Sequence, residues 1–123
     1  ICCLRPGVPG LTENIRVRSL VGRYLEHSRI LRFGRDAKDS DYYISSADLM
    51  PRNLDRRVEA AVPIRAPELR ARLDQVLEIN LSDDTLAWEL GSDGEWQRAS
   101  KGAGVDTQLR LQEVALRRAE GKS

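Results

Sequence analysis

Apolar and polar residues alternate along Ile15-Arg16-Val17-Arg18-Ser19-Leu20-Val21, the two-residue period of a strand with one covered face. Ile1–Leu4 is an apolar run that reads as a short buried strand. Arg5–Gly10 follows as a rigid loop, with Pro6, Gly7, Pro9 and Gly10 crowded together. Gly22–His27 reads as a turn or a short helix. Arg29–Phe33 and Tyr42–Ser45 are further strand patterns, and the polar stretch Gly34–Asp41 between them predicts a β-hairpin over residues 29–45. Met50–Arg57 is a loop or short helix, and Val58–Ile64 is a β-branched apolar stretch. Pro67 opens a helix whose apolar positions Leu69, Leu73, Val76, Leu77 and Leu81 recur at helical spacing. Leu86–Leu90 and Glu95–Arg98, which carry Trp88 and Trp96, flank Gly91-Ser92-Asp93-Gly94 and predict a second hairpin. After a loop at Ser100–Gly104, Asp106 or Thr107 caps a last helix that runs to about Ala119. No internal repeat is present. Strands that give way to helices in a mixed order argue an α/β or α+β layered fold.

Composition narrows the function classes. The 123 residues, 41% hydrophobic and 32% charged, can bury a core without metals or disulfides and are too apolar for disorder. The net charge of +1 supplies no global field for nucleic acid, so no nucleic-acid partner is expected. No apolar run approaches the ~20 residues of a membrane helix. Cys2 and Cys3 are adjacent, which suits a mutual disulfide poorly, and with a single histidine no Cys/His zinc set can form. They read as buried free thiols in a reducing compartment. Residues 1–60 carry a net +3 and residues 61–123 a net −2, and 17 of the 20 basic residues are Arg, whose planar fork suits phosphate oxygens. The chain opens on Ile inside an apolar run, without Met or capping chemistry, and is expected to be cut from a longer protein.

Two constellations carry candidate chemistry. His27 is the lone histidine, flanked by Arg23 and Arg29, with Arg16, Arg18 and Arg32 nearby. Histidine is the side chain best suited to proton or phosphoryl transfer near neutral pH. A lone histidine is, on its own, more often a satisfied structural residue than a catalyst, and the arginines around it could as readily form a solvated charged face. The second constellation, Ser45 through Glu59, follows a strand end, where α/β folds often place their sites. Here Arg52, Arg56 and Arg57 could bind phosphate, and Asp48, Asp55 and Glu59 could orient His27 or balance the arginines. Gly121-Lys122-Ser123 mimics the end of a P-loop, but position 116 is Leu where that loop needs Gly.

In this order the two constellations resemble the C-terminal domain of the polyphosphate kinase 1 family. The likeness runs through residues 1–10, Glu13–Ser19, Gly22–Ile30 and Ile44–Glu59. It is dense over residues 1–65, weaker through the helix at Pro67 and too loose to use beyond about residue 85. The resemblance implies an α/β fold: a phospholipase D-like mixed sheet flanked by helices, one half of a two-lobed catalytic unit, with residues 1–123 as a single C-terminal domain. His27-Ser28-Arg29 takes the place of that superfamily's His-x-Lys element, with Arg for Lys. Ser46 and Asp48 fall on its Gly-Ser-x-Asn element, with Asp for Asn, and Glu59 falls near the carboxylate that orients the histidine.

The implied reaction is reversible transfer of the terminal phosphate of ATP onto inorganic polyphosphate. The resemblance implies that the phosphohistidine would lie on the preceding domain. His27 would act as acid/base or phosphate contact, and Arg5, Arg29, Ser46, Asp48, Arg52, Asn53, Arg56 and Arg57 would bind ATP or polyphosphate. Mg²⁺ is the implied cofactor, with its ligands upstream and none in these residues. The implied partners are ATP or ADP, polyphosphate and the preceding domains. The implied parent is a homo-oligomer, cytoplasmic or membrane-peripheral, and the isolated piece is expected to be inactive. The residues alone also suit a module that binds polyanions without chemistry, or an inter-domain scaffold built on the acidic second half.

Overall fold

The computed structural model describes residues 4–36, 38–99 and 102–121. Among them the chain runs β1 (Arg18–Leu20), β2 (Ile30–Phe33), β3 (Asp41–Ser45), α1 (Pro51–Arg56), β4 (Ala61–Ile64), α2 (Pro67–Ser82), β5 (Ala87–Leu90), β6 (Trp96–Arg98) and α3 (Thr107–Ala119). It divides into two compact units, Glu26–Glu78 and, discontinuously, residues 1–25 with 79–123. The α/β class holds, with the described strands shared between two three-stranded antiparallel sheets, β1-β5-β6 and β2-β3-β4. The strand expected at Ile1–Leu4 and the thiols of Cys2 and Cys3 lie outside the described residues, apart from Leu4, which is in coil.

In the Glu26–Glu78 unit the predicted hairpin forms, Ile30 facing Ile44 and Arg32 facing Tyr42, and β4 adds to its other side with Tyr42 opposite Ile64. Pro63 is tolerated because β4 is an edge strand, where the missing N–H interrupts no second ladder. Tyr42, 1% exposed, is the large side chain buried in this unit. Its hydroxyl donates to both carboxylate oxygens of Asp74 on α2, at 2.7 and 2.6 Å, and Arg32 pairs with the same carboxylate at 3.2 Å. Burial and the bond to Asp74 push the Tyr42 phenol above its ordinary pKa. Arg70 of α2 donates to the Ile64 carbonyl at 3.0 Å and stacks its guanidinium over the Tyr42 ring. The leucine stripe of α2 contributes less than its spacing suggests: Leu69 is exposed, and no α2 residue is fully buried. Polar ties to one buried tyrosine therefore hold the helix to the sheet.

In the other unit, strand pairing is narrower than the predicted 15–21 and 86–90, and single backbone bonds, Leu90 to Val17 and Val21 to Leu86, extend it at both ends. The second hairpin forms, with Leu90 opposite Trp96 and the Arg98 guanidinium stacked on Trp88. Asp106, rather than Thr107, caps α3 by accepting from Leu109 N at 3.0 Å. The Gln108 side chain clamps Tyr24 by bonding both its N–H and its carbonyl.

The knot of this unit is Asp83, fully buried. One carboxylate oxygen accepts from the N–H groups of Thr85, Leu86 and Ala87 at 3.0, 2.7 and 2.8 Å, and the other from Thr107 N at 2.7 Å. One side chain thus starts β5 and fixes the start of α3. Asp84 beside it accepts from the N–H groups of Ala103, Gly104 and Val105. Burial alone would raise the Asp83 pKa, but the backbone donors, Thr107 first, outweigh it and hold the pKa below the ordinary carboxylate value. A carboxylate with a depressed folded pKa adds stability that is complete above its unfolded value, about 3.9, and is lost as pH falls through the folded one. Asp83→Asn is expected to cost about 1–3 kcal/mol near neutral pH, because its amide nitrogen cannot accept the N–H bonds. Urea unfolding from pH 7 down to pH 2 should also show a shallower acid loss in the variant than in the parent.

Candidate active site

Backbone pairing brings three stretches of the Glu26–Glu78 unit to one end of the β2-β3-β4 sheet. Ser45 N donates to Arg29 O at 2.9 Å, which carries the β2–β3 ladder back past Ile30. Ser46 N donates to Ala60 O at 3.0 Å, which carries the β3–β4 ladder past Ala61. The residues at and just beyond these bonds, His27 and Arg29, Ser46 and Asp48, and Glu59, become neighbours because both ladders end there.

Two side-chain networks occupy that end. In the first, exposed His27 presents Nδ1 3.2 Å from an Nη of Arg29, and Arg29 Nε donates to Asp48 Oδ1 at 2.6 Å. In the second, Ser46 Oγ donates to one oxygen of Glu59 and accepts from Ala60 N. Asn53, 3% exposed and the buried residue of α1, donates to the other Glu59 oxygen at 3.2 Å, and its own amide oxygen accepts from Arg52 Nε at 3.3 Å. The Arg29 hydrogen bond holds the Asp48 carboxyl below its usual range against some desolvation, and the charges of Arg29, His27 and Arg52 add to it. The same bond to Asp48 raises the Arg29 pKa. This is a charge-assisted pair in which both partners stay ionised across the working pH range.

Of the residues singled out by sequence, His27, Arg29 and Asp48 are joined in one network, and Ser46, Glu59, Asn53 and Arg52 in the other. Glu59 directs both oxygens at Ser46 and Asn53, and the carboxylate connected to His27, through Arg29, is that of Asp48. Arg56 and Arg57, at the end of α1, are exposed, and among the described residues no ion pair joins either. Arg5 belongs to the other unit, where it donates to the carbonyls of Ser92 and Asp93 in the β5–β6 turn, at 2.8 and 2.9 Å. The Arg29–Asp48 pair escaped sequence reasoning, although its signal was present. The two departures from the phospholipase D pattern, Arg for Lys and Asp for Asn, are the two partners of one ion pair.

The acids here do not fit a magnesium site. Asp48 is engaged by Arg29 and Glu59 by Ser46 and Asn53, and among the described residues no three His, Cys, Asp or Glu side chains gather. No helix among the described residues is long and apolar enough to cross a membrane.

By fold and site the chain is an α/β protein with a histidine–arginine–aspartate network at a sheet end. The family described as polyphosphate kinase C-terminal domain 2 matches residues 1–112, and the chain belongs to that family. The match reaches past residue 85, where the likeness read from residues alone had faded. The polyphosphate kinase of Streptomyces coelicolor is 51% identical over 116 residues, which cover 94% of this chain and 15% of that protein. The polyphosphate kinase 1 of Chlorobaculum tepidum is 53% identical over 96 residues, 78% of this chain and 14% of that one. The crystal structure of polyphosphate kinase from Porphyromonas gingivalis superposes with a TM-score of 0.88 at 37% identity, covering 98% of this chain and 19% of that one. The chain thus spans about 15% of the length of the curated relatives it matches.

The Asn53–Glu59–Ser46 network, anchored on buried Asn53, sets the shape of the loop that carries Asp48. Asn53→Ala is expected to cost about 1–3 kcal/mol, since it removes a buried hydrogen-bonded amide. Thermal unfolding checks this, and an unchanged midpoint would show that the loop is held by other means.

Proposed function

We propose that this chain is the C-terminal catalytic domain of a polyphosphate kinase and supplies half of a phosphoryl-transfer site. The reaction is reversible transfer of the terminal phosphate of ATP onto inorganic polyphosphate, through a phosphohistidine on a neighbouring domain of the same longer polypeptide. The observation that carries this reading is the exposed His27 held at Nδ1 by Arg29 at the sheet end from which the β3–β4 connection, with Arg52, Arg56 and Arg57 on or beside its helix α1, departs.

In this reading His27 leaves Nε2 free to meet a phosphate oxygen. Arg29 keeps further N–H groups beyond those directed at Asp48 and His27. Arg56 and Arg57, with no acid paired to them among the described residues, are available to neutralise the chain of phosphates. Such electrostatic stabilisation is the largest contribution to most phosphoryl transfers. The magnesium such a reaction uses would be held by the nucleotide phosphates and by residues outside this chain, and no step here runs through it. ATP and polyphosphate are the partners this reading assigns, the compartment is the cytoplasm, and any self-association belongs to the longer polypeptide.

The 123-residue chain alone is expected to make no polyphosphate. In the full-length polypeptide, His27→Ala should lower synthesis from ATP by about 10²-fold or more, while phosphohistidine still forms on the neighbouring domain. Unchanged synthesis would remove His27 from the chemistry and leave a module that binds polyphosphate through its arginines. Synthesis by the 123-residue chain itself would overturn the half-site.

A further inference from the structure

The contact between Arg29 and His27 constrains which proton the imidazole carries. A guanidinium nitrogen is only a donor, so the Nδ1 atom 3.2 Å from it must be the acceptor. A neutral imidazole that accepts at Nδ1 carries its proton on Nε2. Arg29 has a long, flexible side chain and would not hold this pose unaided. Asp48 takes its Nε at 2.6 Å, and that leaves the Nη edge turned toward His27. Asp48 is in turn fixed by its loop: Met50 N bonds to its carbonyl at 2.8 Å, Ala47 N bonds to Ser45 Oγ at 3.0 Å, and the preceding Ser46 is bonded to Glu59 and Ala60.

We propose that Asp48 is a positioning residue that acts through Arg29 to hold His27 in the Nε2–H tautomer, so that His27 meets a phosphate as a hydrogen-bond donor and not as a base. The tautomer stands on the geometry alone, whereas its use on phosphate rests on the reading of the site given above. In this tautomer Nε2 already bears a hydrogen, so it can donate to a phosphate oxygen but cannot take a proton from an attacking one. The assignment separates the two roles that a lone histidine leaves open. It also gives Asp48 a part that an asparagine, with no charge to hold Arg29, would not fill.

The test uses the single histidine. In a chain with ¹⁵N-labelled imidazole, held above the histidine titration, long-range ¹H–¹⁵N correlation reads one ring. The expected spectrum shows Nε2 protonated and Nδ1 unprotonated, shifted upfield from a free pyridine-type nitrogen by the bond it accepts. In Asp48→Asn, and in Arg29→Gln, Nδ1 should move downfield toward the free value, with the backbone amide spectrum otherwise retained. Arg29→Lys keeps the charge but lacks the planar fork, and it should show the same movement, which guards against a variant that unfolds. A wild-type Nδ1 that is protonated, or that already sits at the free value, overturns the proposal. An Nδ1 resonance unmoved in all three variants overturns the role of Asp48. None of these readouts depends on polyphosphate synthesis, so this assignment and the phosphoryl-transfer reading can fail separately.

Discussion

The short ion pair between Arg29 and Asp48 is the interaction on which the site depends. Neither residue lies in a strand or helix: the Arg29 carbonyl accepts the last backbone bond of the β2–β3 ladder, and Asp48 lies two residues beyond the last bond of the β3–β4 ladder. Exposed ion pairs usually contribute little to stability, because the two charges exchange good hydration for one geometry. This pair is informative for a different reason: it fixes direction. With Nε committed to Asp48, the remaining edge of a planar group faces His27, and one charged bond becomes the orientation of an imidazole. The cluster works because the sheet end brings the two sequence stretches together and the pair then sets their side chains.

The rest of the unit serves that placement. β3 lies between β2 and β4, so its end is flanked by the residues that precede β2 and those that precede β4. The connection from β3 to β4 returns through α1, whose buried Asn53 ties the loop to Glu59 and leaves Arg56 and Arg57 facing solvent. Tyr42, underneath, ties the sheet to α2 through Asp74. Hydrogen bonds at buried points therefore do here much of what a larger apolar core does elsewhere, and several large apolar residues, Leu49, Leu54 and Val58 among them, are left exposed.

Much of this arrangement was legible in the sequence, for identifiable reasons. The 29–45 hairpin, the helix at Pro67 and the 86–98 hairpin follow from period and turn chemistry, which are local. The reach of β1 and β4 was overread, because alternation continues past the point where a partner strand is available: Val58 extends an apolar run, yet β4 begins only at Ala61. The role of Asp83 was invisible, since nothing in a sequence marks which of many acids will collect four backbone N–H groups. Sequence likeness set Arg5 among the phosphate ligands, whereas its guanidinium closes the turn of a hairpin nearly ninety positions away, a contact no local pattern encodes. Arg29 and Asp48 each depart from the phospholipase D pattern, and the contact that couples them joins residues 19 positions apart, which no local spacing encodes.

The central claim is that Asp48 orients His27 through Arg29. A double-mutant cycle of Asp48→Asn and Arg29→Gln, read as polyphosphate synthesis by the full-length polypeptide, tests it most directly, because contacting residues that act as a unit fail to add. The account predicts that the double variant is no slower than Arg29→Gln alone, since with the guanidinium gone Asp48 has nothing left to orient. Losses that multiply, so that the double variant falls by the product of the two single effects, would contradict it.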